Sequence, residues 1–141
     1  MNAIAKADDN FSDALRIALA NGTVQPSQDE VSHVTTDNLY GRLFKAPRGT
    51  VISTRVHKED HISVMLKGEI LVVDQDGNKS VLTAPAVFVT KAGTKRAIYV
   101  KEDFEFLTVH HLKNANLDTV KDDLTCSSLR EYRQLVYGGE H

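Results

Sequence analysis

The sequence contains a single cysteine, Cys126, in 141 residues. No internal disulfide can form from it, and a lone thiol fits a reducing compartment. No sign of charge dominates either: 17 Lys and Arg against 19 Asp and Glu leave a formal net charge of −2. Without a basic field, nucleic acid is not an expected partner. No apolar run approaches the roughly 20 residues that cross a bilayer, and the first nine residues lack the apolar core of a signal peptide. These absences predict a cytoplasmic protein with no membrane partner. Internal repeats, low-complexity tracts, Gly-rich phosphate loops, nucleophile elbows and paired-cysteine zinc patterns are also missing. What remains is a chain with 41% apolar residues, enough for one core and too short for two comfortable ones.

The order of signals along the chain predicts one mainly β domain between helical ends. Ser12 is an N-cap for residues 13–20, with Asn21-Gly22 as a stop, and Phe11, Leu15, Ala18 and Leu19 share a side. Residues 1–40 thus read as a helix and a polar connector packed on the β domain. From Tyr40 the pattern becomes β. The runs are Thr50–His57, His61–Leu66, Glu69–Val73, Lys79–Leu82, Val87–Val89, Arg96–Val100 and Phe104–His110. Turns are expected at Lys67-Gly68, Asp76-Gly77-Asn78, Ala92-Gly93-Thr94 and Lys101–Asp103. About seven short strands at roughly 6–12-residue spacing are the pattern of an antiparallel sandwich or barrel, here over residues 41–112. In residues 113–141 the pattern turns helical. Asn116 or Asp118 caps a turn through Leu124, and Ser127 or Ser128 caps Leu129–Tyr137. That last helix reads as a cover for a sheet edge or a dimer contact.

The chemistry rests on histidine. His57 and His61 flank a hinge between two β-like runs, and His110 ends a third. Imidazoles carried by separate strands are a common way for a small sheet protein to hold a transition metal. The even spacing of His57 and His61 puts both on one face of an extended chain. The competing reading is a set of histidines hydrogen-bonded in a polar barrel mouth. Parity leaves His110 and His111 both open as a third ligand, because both faces of that run carry apolar residues. Glu59 and Glu69 are candidate acids or bases only if they face a cavity. Tyr99 is a candidate proton donor if it reaches one. Cys126 has no partnered base nearby and reads as a structural thiol.

These runs and motifs resemble the cupin superfamily, small antiparallel jelly-roll barrels with an internal metal site. Aligned on Gly68, the glutamate of the first cupin motif falls on His61, its second histidine on His57 and its first on Arg55. In the second motif the Pro-x-Gly turn falls on Lys91-Ala92-Gly93, and the histidine that follows it on Arg96. Only His57 keeps its ligand type. The chain is more similar to small cupin-like proteins of tailed bacteriophages and their hosts. It shares with them a His-x3-His pair (His57, His61), Ala84-Pro85, Gly93-Thr94-Lys95-Arg96, Tyr99-Val100-Lys101-Glu102-Asp103 and a strand ending in His110. The resemblance implies a single barrel and a metal site of His57, His61 and His110, suited to Zn, Fe, Ni, Co or Mn. It also implies that small cupins pair, so a homodimer is expected. Arg55 and Arg96 cannot ligate a cation, but a guanidinium fork can clamp a carboxylate or phosphate, unless each arginine only braces a loop. A small anion bound by Arg55, Arg96 and Tyr99 is therefore expected. Enzyme, sequestering module and phage assembly scaffold remain three readings of the same cavity.

Overall fold

The computed structural model describes residues 30–113, 116–126 and 128–137. The expected helix at residues 13–20 lies outside them. Among these residues nine strands and two helices are arranged in the order β1 (Glu30–Thr35), β2 (Leu39–Ala46), β3 (Val51–Ser53), β4 (Val56–His57), β5 (His61–Asp74), β6 (Lys79–Thr83), β7 (Ala86–Thr90), β8 (Arg96–His111), α1 (Val120–Leu124), β9 (Thr125–Cys126) and α2 (Leu129–Tyr137). All pairings are antiparallel. The main sheet runs β1-β2-β8-β5-β6, with β3 added on β8 and β7 on β5. Among the described residues the sheet starts at Glu30, ten residues before the first β signal at Tyr40. β1 is exposed along its whole length, so it lacks the apolar alternation that reveals a half-buried strand.

Two of the expected turns are bends inside long strands. β5 runs 14 residues through Lys67-Gly68, and β8 runs 16 through Lys101–Asp103. Their mutual register shifts between Met65 and Ile70, as bulges do where a sheet must fold over. Gly68 sits at the bend with φ +104. A Cβ there would stand 2.4 Å from the Asp103 carbonyl oxygen. The bend lets each long strand serve two layers. The first half of β5 pairs with β7 and the second with β6. β8 takes β3 on its first half and β2 on its second. Asp76-Gly77-Asn78 does close a hairpin, with Asp74 Oδ1 accepting from the backbone of Asp76 and Asn78, each at 2.9 Å.

Between the layers lies a core of Phe44, Ala46, Met65, Ile70, Val72, Ile98, Val100 and Phe104. Met65 and Val100 are fully buried, each contributing about 1.5–3 kcal/mol of apolar transfer. A second cluster joins Val56, Ala97, Cys126 and Leu129. It fastens the C-terminal segment to the strand that carries His57: β9 pairs with β4, Val56 opposite Cys126, and Lys58 N donates to Leu124 O at 2.8 Å. Ser128 Oγ caps α2 by accepting from Glu131 N at 3.1 Å. Cys126 is buried in this cluster. Among the described residues no helix is long and apolar enough to cross a membrane.

Candidate metal centre

At one end of the core the interior becomes polar, and the strand register shows how. On β2 the inward positions are Tyr40, Arg42, Phe44 and Ala46, opposite His110, Thr108, Phe106 and Phe104 of β8. On β5 Ser63 lies opposite Thr108, and Met65 opposite Phe106. Across β7, His61 meets Thr90 and Ser63 meets Phe88. Stacked rows thus grade from Phe and Met in the core to Ser63, Thr108, His61 and His110 at the rim. Ser63 Oγ and Thr90 Oγ1 satisfy each other at 2.6 Å in full burial.

His57 joins His61 and His110 from β4. Ring centroids are 4.2 Å apart for His57 and His61, 4.4 Å for His61 and His110, and 5.3 Å for His57 and His110. One ring nitrogen from each lies within 4.8 Å of the others. His57 and His61 do not share an extended segment: Lys58–Asp60 separates β4 from β5. Their approach comes from the fold, not from strand parity. Two contacts fix His57: the pairing of β4 with β9, and its carbonyl accepting from Gly93 N at 3.0 Å. Gly93, at φ +80, lies under Tyr132 of α2, where a Cβ would come within 2.8 Å of the Tyr132 ring. Of the two histidines that end β8, the one in this cluster is His110. His110 is buried at 4% exposure, and His111 is on the opposite, exposed face.

All three rings have lowered pKa values, which favours the neutral imidazole. Burial, then His61, His110, Arg42 and Arg55, lower His57 from 6.5 to about 3. Burial, His61 and Arg42 lower His110 to about 4. His61 is lowered too, first by burial, with the Glu59 backbone opposing. A neutral imidazole has a lone pair for a metal. His61 Nδ1 is buried without a hydrogen-bond partner, a costly state unless some further group occupies that position. His110 Nε2 lies 2.8 Å from Thr108 Oγ1. If the ring donates that bond, Nδ1 is the nitrogen left to ligate. Donor type, protonation and the orphaned atom all fit a divalent transition metal.

The other expected site residues divide. Arg96 opens β8 on the inward parity of Ile98 and Val100, half-buried, with its guanidinium over the Phe88 ring at 5.7 Å. It lowers His61, and burial lowers Arg96 itself. Among the described residues no carboxylate lies within ion-pair distance of it. Arg55 turns to the C-terminal segment instead: Nε donates to Thr125 Oγ1 at 2.7 Å, and a terminal nitrogen meets Asp122 at 3.4 Å. Tyr99 alternates with the core residues Ile98 and Val100, so it stands on the opposite face of β8 from Arg96 and the histidines. Glu69 pairs with Lys101 at 3.2 Å, away from the cluster, and Glu59 is exposed.

Three further residues belong to the site. Tyr40, 2% exposed, stacks on His110 with centroids 5.7 Å apart, and its hydroxyl lies 2.5 Å from His33 Nδ1. Burial raises Tyr40. Arg42 acts on His57 and His110 by its charge. The only available sequence signal was period two along β2, which aligns Tyr40 and Arg42 with Phe44. His33 had none, since its strand is wholly exposed.

No protein-family model and no curated protein matches the sequence. Solved structures do match the fold. A protein with a double-stranded β-helix domain from Klebsiella pneumoniae aligns at 24% identity and TM-score 0.53, over 68% of this chain and 89% of that one. A cupin superfamily protein from Desulfitobacterium hafniense aligns at 20% and 0.51, over 64% and 83%. An RmlC-like cupin family protein from Methanocaldococcus jannaschii aligns at 16% and 0.52, over 62% and 84%. At such identities the likeness establishes the fold, the antiparallel cupin double-stranded β-helix, and says nothing of activity.

Proposed function

We propose that this chain is a metal-binding cupin-fold protein of the small phage-type kind, working in the cytoplasm. His57, His61 and His110 hold one divalent transition metal, and Arg96 receives a small anion beside it. The observation that carries the reading is the convergence of three imidazole nitrogens within 4.8 Å, drawn from β4, β5 and β8. Three nitrogen donors suit zinc, iron, nickel, cobalt or manganese alike. Such an ion, when bound with open positions, polarises a ligand oxygen or lowers the pKa of water.

The chain's own residues set what it accepts. Arg96 offers a half-buried planar fork above Phe88; among the described residues no carboxylate lies within ion-pair distance of it, and Asp74, opposite in register, reaches it only through its charge, which leaves the fork suited to a carboxylate or phosphate. Arg42, on β2, adds positive charge near His57 and His110. Arg55 contributes charge but spends its hydrogen bonds on Thr125 and Asp122. A second reading, capture of the anion without turnover, is favoured by one observation. The charges that act on His57 and His110 are cationic, while Asp60, the carboxylate acting on His61, is committed to Lys91 and to Ala92 N.

Calorimetric titration tests the proposal. Zinc added to chelator-stripped protein is expected to bind once per chain, and phosphate to bind the zinc-loaded form. Arg96→Met should keep zinc and lose phosphate. Zinc binding unaffected by His57→Ala would refute the metal assignment, and phosphate binding unaffected by Arg96→Met would refute the anion site.

A further inference from the structure

The three histidines are not held alike. His61 and His110 lie on β5 and β8, the long paired strands of the main sheet. His57 lies on β4, two residues long, whose strand partner among the described residues is β9. The chain on either side of it also turns to the C-terminal segment. Arg55 Nε donates to Thr125 Oγ1 at 2.7 Å, Lys58 N to Leu124 O at 2.8 Å and Lys58 Nζ to Asp122 O at 2.7 Å. Even the loop that bonds the His57 carbonyl is covered from there, since Gly93 lies under Tyr132 of α2. A second ligand is reached through α1. Its Val120 and Leu124 pack with Tyr40, whose ring stacks on His110.

The attachment of this segment is narrow. Val56, Cys126 and Leu129 bury one another against Ala97, in a cluster separate from the main core. Leu129 is the buried residue of α2, while Leu135 and Tyr137 are more than half exposed. An element held by so few buried contacts opens at a lower free energy than the sheet beneath it. We infer that β9 and α2 form a latch that positions His57 for the metal. Docked, they set His57 against His61 and His110; open, they leave the centre with two placed ligands. The inference rests on the metal assignment proposed above. Linkage makes the coupling reciprocal, so a bound ion holds the latch shut. The state of the C-terminal segment thereby follows whether the centre is loaded.

Cys126, the single thiol of the chain, is 1% exposed inside the latch and supplies the test. Its alkylation by iodoacetamide in the full chain is followed by mass spectrometry. Hydrogen exchange of core amides in β5 and β8, and zinc calorimetry, are run on the same samples. Alkylation of the metal-free protein is expected to report more frequent opening than the core amides do. Zinc at about 100 times its Kd should slow alkylation about 10–100-fold, the upper figure being the mass-action limit for an open form that binds none. Leu129→Ala should speed alkylation about tenfold or more. A loosening that leaves the segment mostly docked moves that rate and not the affinity. Leu129→Asp places an unpaired charge in the cluster and undocks the segment. Its zinc affinity should fall about tenfold or more, with the core amides still protected. Should that variant fail to fold, the zinc effect on wild type and Leu129→Ala decides. Zinc that binds without slowing alkylation would overturn the latch and leave the metal centre standing. So would alkylation that only keeps pace with core opening, or a folded Leu129→Asp that binds zinc as wild type does. Zinc that does not bind at all would overturn both.

Discussion

Acidifying the metal-free protein from pH 7 to pH 5 should cost it about 4 kcal/mol through His57 and His110 alone. The folded chain holds these rings at about 3 and about 4, against 6.5 for a free imidazole. At pH 5 both remain largely neutral in the folded state, while the unfolded chain protonates each. Unfolding then takes up protons, so stability falls with pH. While the folded value stays below the working pH, the cost depends only on how far that pH lies below the unfolded value. For 1.5 units this is about 2 kcal/mol per ring. His61, lowered as well, adds in the same direction. The contribution is fully present above about pH 6.5 and levels off below about pH 3. Asp60 and Glu69 are lowered by their hydrogen bonds to Ala92 N and Lys101. Both act below the carboxylate range, so the window from pH 7 to 5 reports the imidazoles. A loss of about 4 kcal/mol is a large part of the roughly 5–15 kcal/mol that stabilises a domain. Urea unfolding followed by circular dichroism at pH 7, 6 and 5 measures it. His57→Leu should remove about 2 kcal/mol of the pH dependence. A wild-type stability that is flat over this window, or a slope unchanged in His57→Leu, would refute the reasoning.

Other outcomes rest on single contacts. Thr108→Val should weaken zinc binding by about 10–100-fold, since it frees the His110 ring from the hydroxyl that orients it; Thr108→Ser should restore affinity in a chelator competition. Gly68→Ala should cost about 2–3 kcal/mol in urea unfolding, because a positive φ and a backbone clash meet at one position. Ser128→Ala should cost about 1 kcal/mol by uncapping α2, with zinc affinity unchanged.

Much of this architecture is legible in the sequence, and the gaps have physical causes. β7, the Asp76-Gly77-Asn78 hairpin and α2 follow from period, turn chemistry and the Ser128 cap. The bends at Lys67-Gly68 and Lys101–Asp103 carry the same residues as turns, and only pairing along the whole of β5 and β8 tells them apart. Parity could not orient β8 because Leu107 and Val109 on its outer face are as apolar as Phe106 on its inner face. His57, His61 and His110 were visible as residue types, but what joins them is the turn out of β4 and the brace from β9. The same brace takes up Arg55, whose partners Asp122 and Thr125 lie some seventy residues away in sequence. Tyr99 fell to the outer face by a parity that became readable only once Ile98 and Val100 were seen in the core.

The central claim is that three histidines form one metal site. Elemental mass spectrometry of untagged protein purified without chelators tests it most directly, with His57→Ala, His61→Ala and His110→Ala measured beside the wild type. The account predicts close to one transition-metal ion per wild-type chain and its loss in each folded variant, with His111→Ala unaffected. A wild-type protein that carries no metal even after reconstitution, or folded histidine variants that keep it, would contradict the account.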